Sequence, residues 1–411
     1  MSQLTKYQTI YLCDWTLISK RVSIWILCNN NGFPSKVMNF LKSSTVIFIL
    51  TFTLLENTYA AVYQILNDYF YQNPAELSQV NDTQLVLGNA FVMPSFEFNG
   101  ETPIGRGVAN SKVNNSLPYL LTAHRFTDKF VFGFNVTPSG YGHIDWPEDS
   151  IVANASTVTN VLYYQFGLQS EYQFNDELAV GIGFDIEYNK FAELNYMVPP
   201  LGNQVNKIKG VNYVGDVGVF YKINPYNYLT SAIYTQVSTY GNGISTLGPF
   251  ISNNFSLNIL QALIAYIGFQ HTINERLFLE EKIYFSNWTI AKNVDFINSA
   301  TGTFSTPANW RDTWSFQLSS RYALTEKLAI LGSGIYETNA VPTATNQIGY
   351  PVSSSAALSI GLDFLLAKEF SLQIMYGYGA FIPNAVISNT TGNGTVSANT
   401  QSCVAQLTYK I

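Results

Sequence analysis

Phe370-Ser371-Leu372-Gln373-Ile374-Met375-Tyr376-Gly377-Tyr378-Gly379 decides the fold. Successive side chains of an extended chain point to opposite faces, so period two identifies a strand and excludes an amphipathic helix. Here Phe370, Leu372, Ile374, Tyr376 and Tyr378 share one face, with Ser371, Gln373, Met375, Gly377 and Gly379 on the other. Val180, Ile182, Phe184, Ile186 and Tyr188 oppose Gly181, Gly183, Asp185 and Glu187 in the same way. Trp314, Phe316, Leu318 and Tyr322 likewise oppose Ser315, Gln317, Ser319 and Arg321. A soluble β-sandwich also alternates, but its polar face meets water and carries Lys and Glu. The polar face here carries Gly, Ser and Gln, as a barrel lumen does, so the apolar face must meet lipid.

Composition agrees. Charged residues are 12% of the 411 and aromatics 15%, against about 25% charged in ordinary soluble domains. No run of 18 apolar residues follows residue 60, which excludes membrane-spanning helices and leaves the closed barrel. Short turns at 127–129, 175–177, 224–227, 274–276, 325–327 and 367–369 recur every 42 to 52 residues. Between each pair lie two strand-like runs and one long loop rich in Asn, Gly, Ser, Thr and Pro. Strands are expected at 83–98, 117–127, 130–138, 158–174, 177–189, 210–222, 227–240, 257–271, 277–290, 313–324, 327–338, 353–366, 369–380 and 401–411. That is an all-β, antiparallel transmembrane barrel of about fourteen strands, with both ends on the periplasmic side. The second, seventh, eighth and eleventh strands alternate poorly and are not oriented by their sequence.

The N-terminus reads as an export signal at 38–60: Met38 to Lys42 is a short basic region, and Thr45 to Leu55 an apolar run of 11 residues. Thr58-Tyr59-Ala60 supplies small residues at the −3 and −1 positions of a cleavage site, so the mature chain is expected to begin at Ala61. Residues 1–37 then precede the signal, either because Met38 is the true start or as an extension of unknown role. Cys13 and Cys28 lie in that segment, which leaves Cys403 alone in the mature chain and rules out an internal disulfide. The mature chain keeps 16 Lys/Arg against 25 Asp/Glu, a net charge of −9. An acidic chain argues against a nucleic-acid partner.

His124, His143 and His271 have no partner at catalytic or ligand spacing, and no hydrolase, zinc-protease or phosphate-loop motif occurs. No catalytic residue, metal or cofactor is expected. Asp145, Glu148 and Asp149 are either oxygen ligands for a cation or a solvated loop. Glu280 and Glu281 point to opposite faces and cannot act as a pair. Lys282 and Arg321 both fall on polar faces of adjacent strands and are expected nearly level. They either meet a ligand carboxylate or pair with inward acids such as Asp185 or Glu187.

Several stretches taken together resemble the FadL family of outer-membrane transporters of long-chain fatty acids and hydrocarbons. Asn73-Pro74-Ala75 is similar to that family's turn in the N-terminal hatch. Phe130 to Asn135, running on through Val136-Thr137-Pro138-Ser139-Gly140, resembles its third strand, which ends in Pro-x-Gly. Asn309-Trp310-Arg311-Asp312-Thr313-Trp314-Ser315-Phe316, followed by Tyr336-Glu337-Thr338-Asn339-Ala340-Val341-Pro342, is similar to its Trp-x-Asp-Thr-Trp and Val-Pro segments. The resemblance implies a fourteen-stranded barrel, here 83–411, closed by a hatch, here 61–82, and passing apolar molecules sideways near the third strand. It departs in the short stretch before Asn73, which lacks most of a Gly-rich hatch, and in ending at Ile411 rather than Phe. Asn73, Pro74, Ala75, Gly133, Pro138 and Gly140 are the expected passage residues. The hatch turn is expected against a third strand kinked at Gly133, unless Gly133 merely leaves room for the hatch.

The expected function is passive outer-membrane passage of long-chain fatty acids or other small hydrophobic molecules. A general porin, or an adhesin acting through its loops, is the alternative. Expected partners are the apolar cargo, membrane lipid and lipopolysaccharide, with the chain acting as a monomer. N-terminal sequencing of outer-membrane material should begin Ala61-Val62-Tyr63; a mature protein retaining residues 1–37 would refute both the start and the cleavage site.

Overall fold

The computed structural model describes residues 73–411. The assigned signal peptide 38–60, the upstream segment 1–37 and residues 61–72 of the hatch segment lie outside the described residues.

A wall of fourteen antiparallel strands closes on itself. The first seven are β1 (Thr83–Thr102), β2 (Asn115–Thr127), β3 (Phe130–Asp145), β4 (Val158–Gln173), β5 (Leu178–Val198), β6 (Gly202–Asn224) and β7 (Asn227–Tyr234). The rest are β8 (Leu263–Asn274), β9 (Leu277–Asn287), β10 (Thr313–Thr325), β11 (Leu328–Glu337), β12 (Ser355–Leu365), β13 (Phe370–Phe381) and β14 (Gly392–Lys410). Each pairs with the next, and β1 pairs with β14 from Gln84↔Lys410 to Glu101↔Asn393, so neither the first nor the last strand is left as an edge.

The outer ends of several strands run further than their sequence pattern indicates. The long loops also fold as strands, at Gly105–Lys112, Asn293–Ser299, Gly302–Pro307 and Ala385–Asn389. Strands expected at 227–240 and 257–271 are each interrupted, after Tyr234 and at Ala262, and continue above the break as Val237–Leu247 and Phe250–Gln261. At the first break the Thr235 hydroxyl accepts from the Gly215 N–H at 2.9 Å, a side chain standing in for the ladder.

The faces fall as the alternation predicts. Ile182, Phe184, Ile186 and Tyr188 of β5 are exposed on the outside, whereas Gly181, Asp185, Glu187 and Asn189 are buried inside. Phe316, Leu318, Ile360 and Ile374 continue the outer apolar surface. At the outer rim the loops build an apolar core of their own. Phe96 and Phe98 of β1 meet Trp146, Ile348, Phe381, Ile387 and Val396 there, with the Phe96 and Trp146 rings edge to face at 6.4 Å.

Phe184 stands outward on β5 and is 46% exposed. Replacing it by Arg places a charge against hydrocarbon and should cost about 2–4 kcal/mol near the bilayer midplane. Urea unfolding in phospholipid vesicles measures this, and an unchanged midpoint would mean that this face does not meet lipid.

Candidate functional site

Asn73 opens a short 3-10 helix, Pro74–Gln79, that lies in the lumen near the short-turn end. Pro74 suits the first helical position because its missing N–H would find no partner there. The Asn73 side chain caps the turn, its Oδ1 accepting from the Ala75 N–H at 2.9 Å. Its Nδ2 reaches the wall, donating to Thr230 Oγ1 at 2.8 Å, the Val219 carbonyl at 3.0 Å and the Ser231 carbonyl at 3.1 Å. The Thr230 hydroxyl in turn donates to Glu76 at 2.6 Å.

The wall has slots for this turn. A Cβ on Gly181 would overlap the backbone of Pro74 and Ala75, and one on Gly218 would overlap Asn73. A Cβ on Gly133 would stand 3.2 Å from both methyls of Leu77. Arg125 of β2 closes the other end, donating to the carbonyls of Ser78 and Val80 at 2.7 Å each. The Asn73-Pro74-Ala75 turn, expected against the third strand, therefore lies against β5, β6 and β7, and β3 receives Leu77 instead. Gly133 gives Leu77 room, and its pairing is regular on both sides, with Ala123 and with Gln169.

The irregularity of β3 lies higher. Its pairing with β2 runs from Thr127↔Phe130 to Leu120↔Val136 and ends. Beyond that row, Asn115–Tyr119 pair with β1 and Thr137–Asp145 pair with β4, but not with each other. The register slips between Pro138 and Gly140, leaving Ser139 as a bulge. The cause is visible in two residues. Continuing the register would set Pro118 opposite Pro138, and neither has an N–H to donate. The sequence reading named Pro138 and Gly140 and missed Pro118.

Side chains span this gap in the ladder. Asn115 Nδ2 donates to the Tyr141 hydroxyl at 2.6 Å and lies 3.2 Å from His143 Nδ1. Behind it sits an apolar inner cluster that includes Leu117, Tyr119, Leu331, Met375 and Val404, with Tyr141 and Leu162 packed against it.

Lys282 and Arg321 are not level: Lys282 pairs with Gln317, and Arg321 with Phe278, four residues further along β9. Both are already engaged. Lys282 Nζ is buried, 3.1 Å from Glu280 Oε2 and 5.5 Å from the centre of the Tyr266 ring. Arg321 donates through Nε and a terminal nitrogen to Asp363 Oδ2 at 3.1 and 3.0 Å. Their partners are Glu280 and Asp363, not Asp185 or Glu187. Glu281 is exposed on the face opposite Glu280.

The histidines hydrogen-bond locally: His124 with Thr83 at 2.9 Å and His271 with Asn227 at 3.0 Å. In the acidic loop Glu148 accepts from Asn203 at 2.8 Å, which ties two loops together. Among the described residues, no group of His, Cys, Asp and Glu has the geometry to hold a metal ion.

The model of the family described as outer membrane protein transport protein (OMPP1/FadL/TodX) matches residues 60–217 and 216–410. A comparison with curated protein sequences finds no match. Solved structures share the fold. A Pseudomonas aeruginosa FadL homologue superposes with a TM-score of 0.73 at 15% identity, over 83% of this chain and 93% of that one. The P. putida toluene transporter TodX gives 0.68 at 16% identity, over 83% and 93%. The Ralstonia pickettii toluene transporter TbuX gives 0.65 at 15%, over 83% and 92%.

Asn73→Ala removes the cap and the side-chain amide's bonds to the wall, and leaves the buried Thr230 hydroxyl with one partner fewer. An unsatisfied buried group costs about 1–3 kcal/mol, so the hatch turn should open about ten- to a hundredfold more often. Limited proteolysis near residue 73 should accelerate while the heat-dependent gel shift of the intact barrel is kept. Unchanged cleavage would show that Asn73 does not anchor the hatch.

Proposed function

Because the chain belongs to the OMPP1/FadL/TodX family of outer-membrane transport proteins, we propose that it passes small hydrophobic molecules down their gradient and releases them sideways into the bilayer. The observation that carries this reading is the unpaired stretch between β2 and β3, with an apolar cluster directly behind it. Lateral release suits such cargo, since each CH₂ prefers lipid to water by about 0.8 kcal/mol. Asn73, Pro74 and Ala75 act as the hatch beneath the pathway, Gly133 makes room for it, and Pro138 and Gly140 shape the exit.

A general porin is less well supported, because the inner wall at the gap carries the apolar cluster of Leu117, Tyr119 and Leu331. An adhesin would have no use for a gap backed by apolar side chains. Toluene is the probe of choice, since related structures are those of toluene transporters. Long-chain fatty acids remain within the proposed class as apolar bodies. Their carboxylate, however, finds no partner at Lys282 or Arg321, which are already paired.

The exit is tested by bridging it. In a Cys403→Ser background, Asn115→Cys and Tyr141→Cys are joined by a short bifunctional thiol reagent, and uptake of labelled toluene by cells carrying the barrel is followed. Bridging should abolish most of the uptake, and a cleavable bridge should restore it on reduction. Full uptake through a quantitatively bridged barrel would eliminate this exit.

A further inference from the structure

The lumen is rich in hydrogen-bond acceptors, and the basic side chains deeper in it are committed to partners. Besides Lys222 and Lys410 at the short-turn end, three basic side chains face it: Arg125, Lys282 and Arg321. The first is spent on hatch carbonyls, the second on Glu280 and the third on Asp363. Against them, Glu171 of β4, Asp185 and Glu187 of β5 and Asp216 of β6 are each 1–4% exposed, and none forms an ion pair.

Register stacks these four carboxylates on neighbouring strands. Glu171 pairs with Gly181 beside the hatch, and Asp216 pairs with Gly183 one step higher. Asp185 follows, and Glu187 stands above it on the same strand. Glycines make the room: a Cβ on Gly183 would overlap the Asp216 carboxylate, and one on Gly167 would overlap that of Asp185. Glu187 accepts from Asn212 at 3.2 Å and from Gln261 at 3.4 Å. Both oxygens of Asp216, both of Glu171 and Oδ1 of Asp185 have no hydrogen-bond partner. Buried acceptors without donors are costly, and here they all line one side of the lumen.

The top of the stack is placed for the exit. Glu187 pairs with Gln165, and Gln165 with Thr137, so Glu187 shares a row with the residue at the base of the gap. A molecule held by its polar end at Asp185 and Asp216 has its apolar body within reach of that gap.

We propose that Asp185 and Asp216, with Glu171 and Glu187 flanking them, form a head-group site that takes the hydroxyl or ammonium end of an otherwise apolar molecule and turns carboxylates away. This rests on the transport reading and narrows it: the favoured cargo is uncharged or cationic and bears a hydrogen-bond donor. A carboxylate entering here adds acceptors to a row in which both oxygens of Asp216 and Oδ1 of Asp185 already lack a donor. The carboxylates do not converge as metal ligands do, which leaves an organic donor as the occupant.

The test uses three probes with the same tail, namely decylamine, decanol and decanoate, titrated calorimetrically into the full-length barrel. The amine and the alcohol should bind at least about tenfold more tightly than the carboxylate, the scale of one charge-assisted hydrogen bond. Asp185→Asn with Asp216→Asn keeps shape and adds donors, so it should weaken the amine, strengthen decanoate and bring the three within about threefold, below the tenfold that such a bond is worth. The heat-dependent gel shift checks folding, and Glu171→Gln provides a milder variant that should move the same ratios less. Decanoate binding as tightly as decylamine to the unaltered barrel would overturn the proposal, as would a folded double variant that keeps the original order. Toluene uptake by the unaltered barrel reports on the transport reading alone, so its loss and a missing head-group preference are distinguishable failures.

Discussion

Everything in this structure depends on one constraint: a backbone amide in hydrocarbon has no water to bond, so every rung of the ladder must be filled from within. Closure of β1 on β14 satisfies the two strands that would otherwise be edges. The constraint also explains why one interruption matters. Between β2 and β3 the ladder ends where two prolines would face each other, and the region is spanned by Asn115, Tyr141 and His143 through their side chains. Side-chain bonds of this kind can be exchanged without unzipping a sheet, and backbone rungs cannot.

Much of this was legible from residues alone. Gly, Ser and Gln opposite Phe, Ile and Tyr identified the lipid-facing side, and short turns at regular spacing gave the strand number. The strands that resisted orientation did so for physical reasons. β2 carries Leu117, Tyr119 and Leu121 on its inner face, so both of its faces are apolar and period two disappears. The expected seventh and eighth strands hide their breaks because a hydroxyl or a single unpaired residue interrupts pairing without changing polarity. Strands in the outer loops were read as polar connections, since Asn, Ser and Thr serve a solvated hairpin as readily as a coil.

The candidate site was legible in parts. Asn73-Pro74-Ala75 marked a turn that enters the lumen, but what receives it is glycine on strands far away in sequence, which no local pattern reports. Lys282 and Arg321 were expected side by side because their distances from the intervening loop are similar. The actual register offsets them by four residues, and each found an acid elsewhere, Lys282 on its own strand and Arg321 two strands away. Pro118 was the unread signal: a proline inside a strand marks a missing rung, and two prolines at matching depth on adjacent strands mark a place where the wall is unpaired.

The apolar core at the outer rim has a consequence for assembly. Phe96 and Phe98 come from the first strand, Val396 and Ala398 from the last, and Trp146 and Ile348 from loops between them. No subset of consecutive strands contains its parts. The rim core can therefore consolidate only after the chain's two ends have met, so its burial energy becomes available at the moment of closure and acts as a clasp across the seam. A barrel still open on its way into the membrane lacks that clasp, and its first and last strands remain free to be guided into register.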